Sequence, residues 1–137
     1  MEIKGNGLVG LVVVSHSNKL AEEVINFAKL LQQEDFKIEN GGNINQKVYG
    51  ATVETIKDAI RRADEGQGVL VFVDMGSSIF NAAKAVEDIK EEVKVEIADA
   101  PLVEGIISAV AANFDEMSLS ELKEIAEGSR NFKKIKK

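Results

Sequence analysis

From Leu8 onward the chain alternates short apolar runs with amphipathic stripes of helical period, and this alternation constrains the fold more than any other feature. Leu8–Ser17 reads LVGLVVVSHS. Its valine-rich part is the run expected of a strand buried on both faces. Ser17 and Asn18 are good N-cap residues, and beyond them Leu20, Val24, Phe27, Ala28 and Leu31 recur on one helix face. Phe36–Glu39 reads as a short second strand closed by Asn40-Gly41-Gly42. Val53, Ile56, Ile60 and Ala63 mark the next helix, and Gly66-Gln67-Gly68 ends it. Val69–Val73 (VLVFV) is a third strand, and Asp74-Met75-Gly76-Ser77-Ser78 turns into a helix carrying Ile79, Ala82, Ala83, Val86 and Ile89. Val93–Ala98 supplies a fourth strand, and Pro101 suits the start of a helix over Leu102–Phe114. Ser118 and Glu121 have capping-box spacing and open a last helix with Leu119, Leu122 and Ile125. The tail, residues 129–137, is lysine-rich and is expected to fray.

Such alternation predicts an α/β fold, with a four-stranded parallel sheet and helices on both faces in three layers. The first and third strands are apolar throughout, whereas the second and fourth carry charges, as edge strands do. The strand order 2-1-3-4 follows, with right-handed crossovers. At 137 residues the chain fits a single domain, residues 1–137. A net charge of −6 and the lack of a basic face exclude nucleic acid as the expected partner. The start Met1-Glu2-Ile3-Lys4 lacks the pattern of a secretory signal, and no apolar run approaches the roughly 18 residues of a membrane span. The expected location is the cytoplasm, away from membranes.

The predicted order places the topological switch point between strands one and three, where open α/β sheets bind ligands. The loops leaving those strands contain the only histidine, His16, and Asp74. The two should therefore face one crevice. No serine stands on a nucleophile elbow, and one imidazole without an HxxxH or HxxE partner makes a poor metal site. Histidine acting as a nucleophile remains. An ordinary imidazole is largely uncharged at neutral pH, and a carboxylate on its other nitrogen would fix the tautomer; Asp74 is the candidate. The helix starts after Ser17 and at Gly76-Ser77-Ser78 would aim backbone N–H groups at an oxyanion, which suits a phosphoryl group. Ser15, Ser17, Gly76, Ser77 and Ser78 are the candidate phosphate-binding residues, although serines in such places are helix caps by default. Gly5-Asn6-Gly7-Leu8-Val9-Gly10 spells GxGxxG, but it precedes a strand instead of following one and is not a dinucleotide site.

Several stretches carry a family resemblance: VVVSHS around His16, Gly41-Gly42, Gly50 ahead of the AxxxTIKDAI stretch, DMGSS at Asp74–Ser78 and APLVEG at Ala100–Gly105. In that order, and over nearly the whole chain, the sequence resembles the mannose-type IIA phosphocarriers, most closely the phosphotransfer subunits of phosphotransferase-dependent dihydroxyacetone kinases. The resemblance implies a phosphohistidine at His16, filled by the carrier protein HPr and emptied to ADP on the kinase's nucleotide-binding subunit. It implies a homodimer and no cofactor beyond the covalent phosphoryl group. Ala51 departs from the pattern, since relatives often carry threonine there. The HPr-like and enzyme-I-like domains fused in some relatives do not occur in these residues, so separate chains would supply them. Two other readings stand beside this one. A mannose-type IIA component could pass the phosphoryl group to a sugar permease. A tetrapyrrole chelatase of similar fold also places a histidine after its first strand, but commonly adds further ligands.

Overall fold

In a computed structural model, which describes residues 7–42 and 50–136, the chain forms β1 (Gly10–Val14), α1 (Asn18–Lys29), β2 (Ile38–Asn40), α2 (Val53–Ala63), β3 (Val69–Val73), α3 (Ser77–Ile89), β4 (Val95–Ile97), α4 (Leu102–Ala112) and α5 (Leu119–Gly128). All neighbouring strands are parallel and their order is β2-β1-β3-β4. The sequence-based order and layering therefore hold. Gly5, Asn6 and the first four residues lie outside the described residues, as does Lys137.

The pleat sorts the two central strands between the layers. Leu11, Val13, Leu70 and Phe72 point toward α1, α4 and α5, while Val12, Val14, Val69 and Val71 point toward α2 and α3. All eight are buried. A fully buried side chain of this size stabilises by about 1.5–3 kcal/mol, so the middle of the sheet is its firmest part. Gly10 has a steric role there. A Cβ at that position would stand 2.1 Å from the Ala63 carbonyl oxygen, because β1 runs against the end of α2. The GxGxxG spelling thus ends in a packing glycine.

The helices begin where the sequence predicts, for visible reasons. The Ser17 hydroxyl accepts from the Leu20 N–H, and Thr52 with Thr55 and Ser118 with Glu121 cap α2 and α5 reciprocally. The faces they bury differ in part from expectation. In α1 the buried apolar residues are Ala21, Val24, Ile25 and Ala28, while Leu20 and Phe27, and Leu31 just past its end, are exposed. In α3, Ser78, Ala82, Ala85 and Ile89 are buried and Ile79 and Ala83 are exposed; in α5, Ala126 is buried in place of Ile125. The reason is common to all three: the side facing a sheet or a neighbouring helix at close range favours small residues, so alanines outrank leucines there. Strand edges also move: β2 begins at Ile38, leaving buried Phe36 before it, and β4 shortens to three residues. After α5 the chain makes a single 3-10 turn at Ser129–Asn131. It then returns over α4, where Lys134 Nζ lies 2.8 Å from Glu104.

Candidate functional site

Val14 and Val73 are register partners, so the chain leaves both central strands at the same level. The backbone N–H of Asp74 still donates to the Val14 carbonyl, at 3.1 Å. His16 and Asp74 consequently meet, as the sequence predicts. His16 Nδ1 lies 3.3 Å from each carboxylate oxygen of Asp74. The carboxylate is itself tied down: Oδ2 accepts from the Ser15 hydroxyl and from the His16 N–H, both at 2.9 Å, and Oδ1 accepts from the Met75 N–H at 2.6 Å.

Partial burial alone would raise the pKa of Asp74. The hydrogen bonds from the His16 and Met75 N–H groups and the Ser78 and Ser15 hydroxyls outweigh it and bring the pKa down to about 2. An ionised carboxylate can only accept, so the proton of a neutral His16 ring belongs on Nδ1 and the lone pair on Nε2. Nε2 is the ring nitrogen not held by Asp74; it lies 3.0 Å from Ser77 Oγ, and the side chain is 48% exposed. Ser78 Oγ stands 3.2 Å from Nδ1.

The depressed pKa has a consequence for stability. Folding holds Asp74 near 2, against an ordinary 3.8. Its contribution is therefore complete above the ordinary value and is lost as the pH falls through the folded one. The contribution is at most about 2 kcal/mol. Denaturant titrations should show the stability gap between the wild type and Asp74→Asn narrowing as the pH falls from 4 toward 2; a constant gap would contradict this.

The candidate phosphate-binding residues divide. Ser15 was expected among them, but it is 1% exposed and its hydroxyl is committed, donating to Asp74 and accepting from the Ser17 N–H at 3.0 Å. The Ser17 hydroxyl caps α1. The N-terminus of α3 differs: its N-cap is Gly76, and no side chain caps it. Gly76 has φ 58° and ψ −129°, a backbone region open essentially to glycine. A Cβ there would lie 3.5 Å from His16 Cε1. One helix start, not two, is left uncapped beside Nε2.

Two positions escaped the sequence reading or were only half seen by it. Gly50, at φ 77°, carries the α2 approach past His16, where a Cβ would lie 3.3 Å from the His16 carbonyl oxygen. Asn81 anchors that approach by donating to the Ala51 carbonyl at 3.0 Å, and nothing in its local pattern marks it. The Ala51 methyl packs against the apolar layer of α2 and α3. A groove of about 530 Å³ lies elsewhere, between α4, α5 and the C-terminal turn, lined by Ile107, Ile125 and Phe132 among others. Its only titratable lining residue is Glu104. Chemistry is better served by the open rim at His16.

Comparisons with known proteins give the family. Residues 10–127 match the family described as the PTS system fructose IIA component, of the mannose type. The chain belongs to this IIA family. Among IIA relatives, it is 36% identical over 110 residues to the phosphoryl donor subunit DhaM of the PEP-dependent dihydroxyacetone kinase of Escherichia coli K12, covering 77% of this chain and 23% of that one. It is 31% identical over 104 residues to the donor subunit of PEP-dependent dihydroxyacetone kinase 2 of Listeria innocua, covering 74% of this chain and 83% of that one. The chain thus spans about a quarter of the length of the E. coli relative and of one from Providencia stuartii. The fold is shared with the crystal structure of EF1359, a protein of unknown function, at a TM-score of 0.71 and 24% identity over 89% of this chain and 95% of that one. Among the described residues no helix of this IIA chain is long and apolar enough to cross a membrane, and no three acidic or histidine side chains are grouped to hold a metal ion.

Proposed function

We propose that this chain is a phosphohistidine carrier of the phosphoenolpyruvate phosphotransferase system, acting as the phosphoryl donor to a dihydroxyacetone kinase. The Nε2 lone pair of His16 attacks the phosphorus carried by the phosphohistidine of HPr. The P–N bond to the donor ring breaks, with its electron pair left on the donor nitrogen. His16 becomes a phosphorylated imidazolium, its Nδ1 proton still directed at Asp74. In the second half-reaction the terminal phosphate oxygen of ADP, bound on the kinase's nucleotide subunit, attacks the same phosphorus; the P–Nε2 bond breaks with its electron pair left on Nε2, and His16 returns to its neutral form.

The observation that carries this reading is the division of the ring, with Nδ1 against an ionised carboxylate and Nε2 not held by it. Transfer of this kind relies on positioning and charge stabilisation. Ser77 and the uncapped start of α3 lie beside Nε2, which supports them as donors to the equatorial oxygens. Ser15 and Ser17 act indirectly, by holding Asp74 and the α1 start. The kinase acceptor is supported by the names of the relatives. The carrier works as a cytoplasmic homodimer and needs no dissociable cofactor.

Reconstitution tests the acceptor. With phosphoenolpyruvate, enzyme I, HPr, the two kinase subunits and dihydroxyacetone, added carrier should give dihydroxyacetone phosphate in proportion to its concentration. A carrier that becomes labelled on His16 but discharges only to a membrane sugar permease would overturn the kinase assignment.

A further inference from the structure

His16 is contacted at two points by stretches of chain from different parts of the fold. At its ring stands the start of α3, with Ser77 Oγ 3.0 Å from Nε2 and Ser78 Oγ 3.2 Å from Nδ1. At its backbone passes the approach to α2, where a Cβ on Gly50 would lie 3.3 Å from the His16 carbonyl oxygen and 3.6 Å from its Cα. The α2 end of that approach is fastened by Thr55, whose hydroxyl donates to the Gly41 carbonyl at 2.7 Å. The end nearer His16 is fastened by Asn81, which donates from Nδ2 to the Ala51 carbonyl at 3.0 Å. Asn81 lies one turn beyond Ser77 and Ser78, on the same face of α3. Asparagine is a poor helix former because its amide competes for backbone groups, and here the amide is turned to a carbonyl of a different segment. The bond therefore joins the two stretches that touch the histidine.

We infer that Asn81 is a positioning residue for phosphoryl transfer. By tying the α2 approach to α3, it fixes the His16 backbone relative to the groups around the ring. The inference rests on the proposed carrier reading and deepens it. His16 lies just past the end of β1, where the sheet ladder no longer holds the chain. Its N–H is held by Asp74 at 2.9 Å, and its carbonyl side meets Gly50, which the neighbouring bond between Ala51 and Asn81 keeps in place. In-line attack tolerates little misplacement of the nucleophile: an error of about 1 Å can cost about a hundredfold in rate. Asn81 acts through the Ala51 carbonyl, so its loss should slow the step within the complex and leave the affinity for the donor protein alone.

The test uses Asn81→Leu, which keeps the bulk of the side chain without its donor, and Asn81→Ala, which removes both. Asn81 is only half-buried, so the fold should persist; circular dichroism and thermal unfolding fix a temperature at which each variant is fully folded. Labelling is followed from phospho-HPr and, separately, from phosphoramidate, a small donor that needs no protein contact. In both variants kcat with phospho-HPr should fall about tenfold or more while KM stays near the wild-type value, as for a misplaced nucleophile. Labelling by phosphoramidate should fall by the same factor, and the NMR signals of the His16 amide and ring should move. An asparagine that merely supports the fold would lower the unfolding midpoint yet leave the rates of the folded protein and the His16 signals unchanged, and that result would overturn the inference. A raised KM with unchanged kcat would overturn it too, by making Asn81 a contact for the donor protein. A wild type labelled by phosphoramidate but not by phospho-HPr would instead refute the carrier reading, and the phosphoramidate rates would still decide the role of Asn81.

Discussion

His16→Ala is expected to take no phosphoryl group from phosphoenolpyruvate, enzyme I and HPr, while remaining folded. The wild type should acquire one phosphate that survives base and is lost in acid, as a phosphoramidate bond does; the variant should acquire none. The fold should persist because the ring is half exposed and contributes little to the core. The stabilising grip on Asp74 also survives the change. It comes from the His16 and Met75 backbone N–H groups and the Ser15 and Ser78 hydroxyls, none of which the substitution removes. An unfolding free energy within about 0.5 kcal/mol of the wild type is therefore expected, the usual range for a surface change. Base-stable label on His16→Ala would end the phosphocarrier account, because the sequence contains no second histidine.

Asp74 should prove nearly as important to rate, and the chemistry of its replacement should matter. Asp74→Ala removes the orienting acceptor but lets the ring choose its tautomer, so labelling slows without stopping. Asp74→Asn is the harsher change. Its amide can donate to Nδ1, which would drive the proton onto Nε2 and block the lone pair. A loss of about 10²–10⁴-fold is expected for the asparagine variant, the range for a mispositioned or wrongly protonated catalytic histidine. Rapid-quench labelling by phospho-HPr would measure it. Rates equal to the wild type in both variants would remove the carboxylate from the mechanism.

Much of this could be read without coordinates because strand composition carries position. The uninterrupted valines of β1 and β3 required burial on both faces, which made those strands central and put their exits side by side. Register cannot be read so easily on the helices. In α1, Leu20 and Phe27 satisfy the helical period, yet the face against the sheet is set by Ala21, Val24, Ile25 and Ala28. Periodicity weighs hydrophobicity and is blind to how closely two elements approach. The separate roles of the serines could not be read for a related reason. Ser15, Ser17 and Ser77 all stand near the histidine in sequence or space, but their roles depend on which backbone groups are already paired. The turn at Gly76, with its positive φ, leaves the α3 start uncapped beside His16.

On the proposed carrier reading, in which two clients would be served in succession, the side-by-side pairing of Val14 with Val73 has a further meaning. The reacting nitrogen and its carboxylate are each set within two residues of the stiffest strands, so neither client has to assemble the centre on arrival. Traffic through such a relay can then be limited by encounter and departure, with the relay itself standing ready between them.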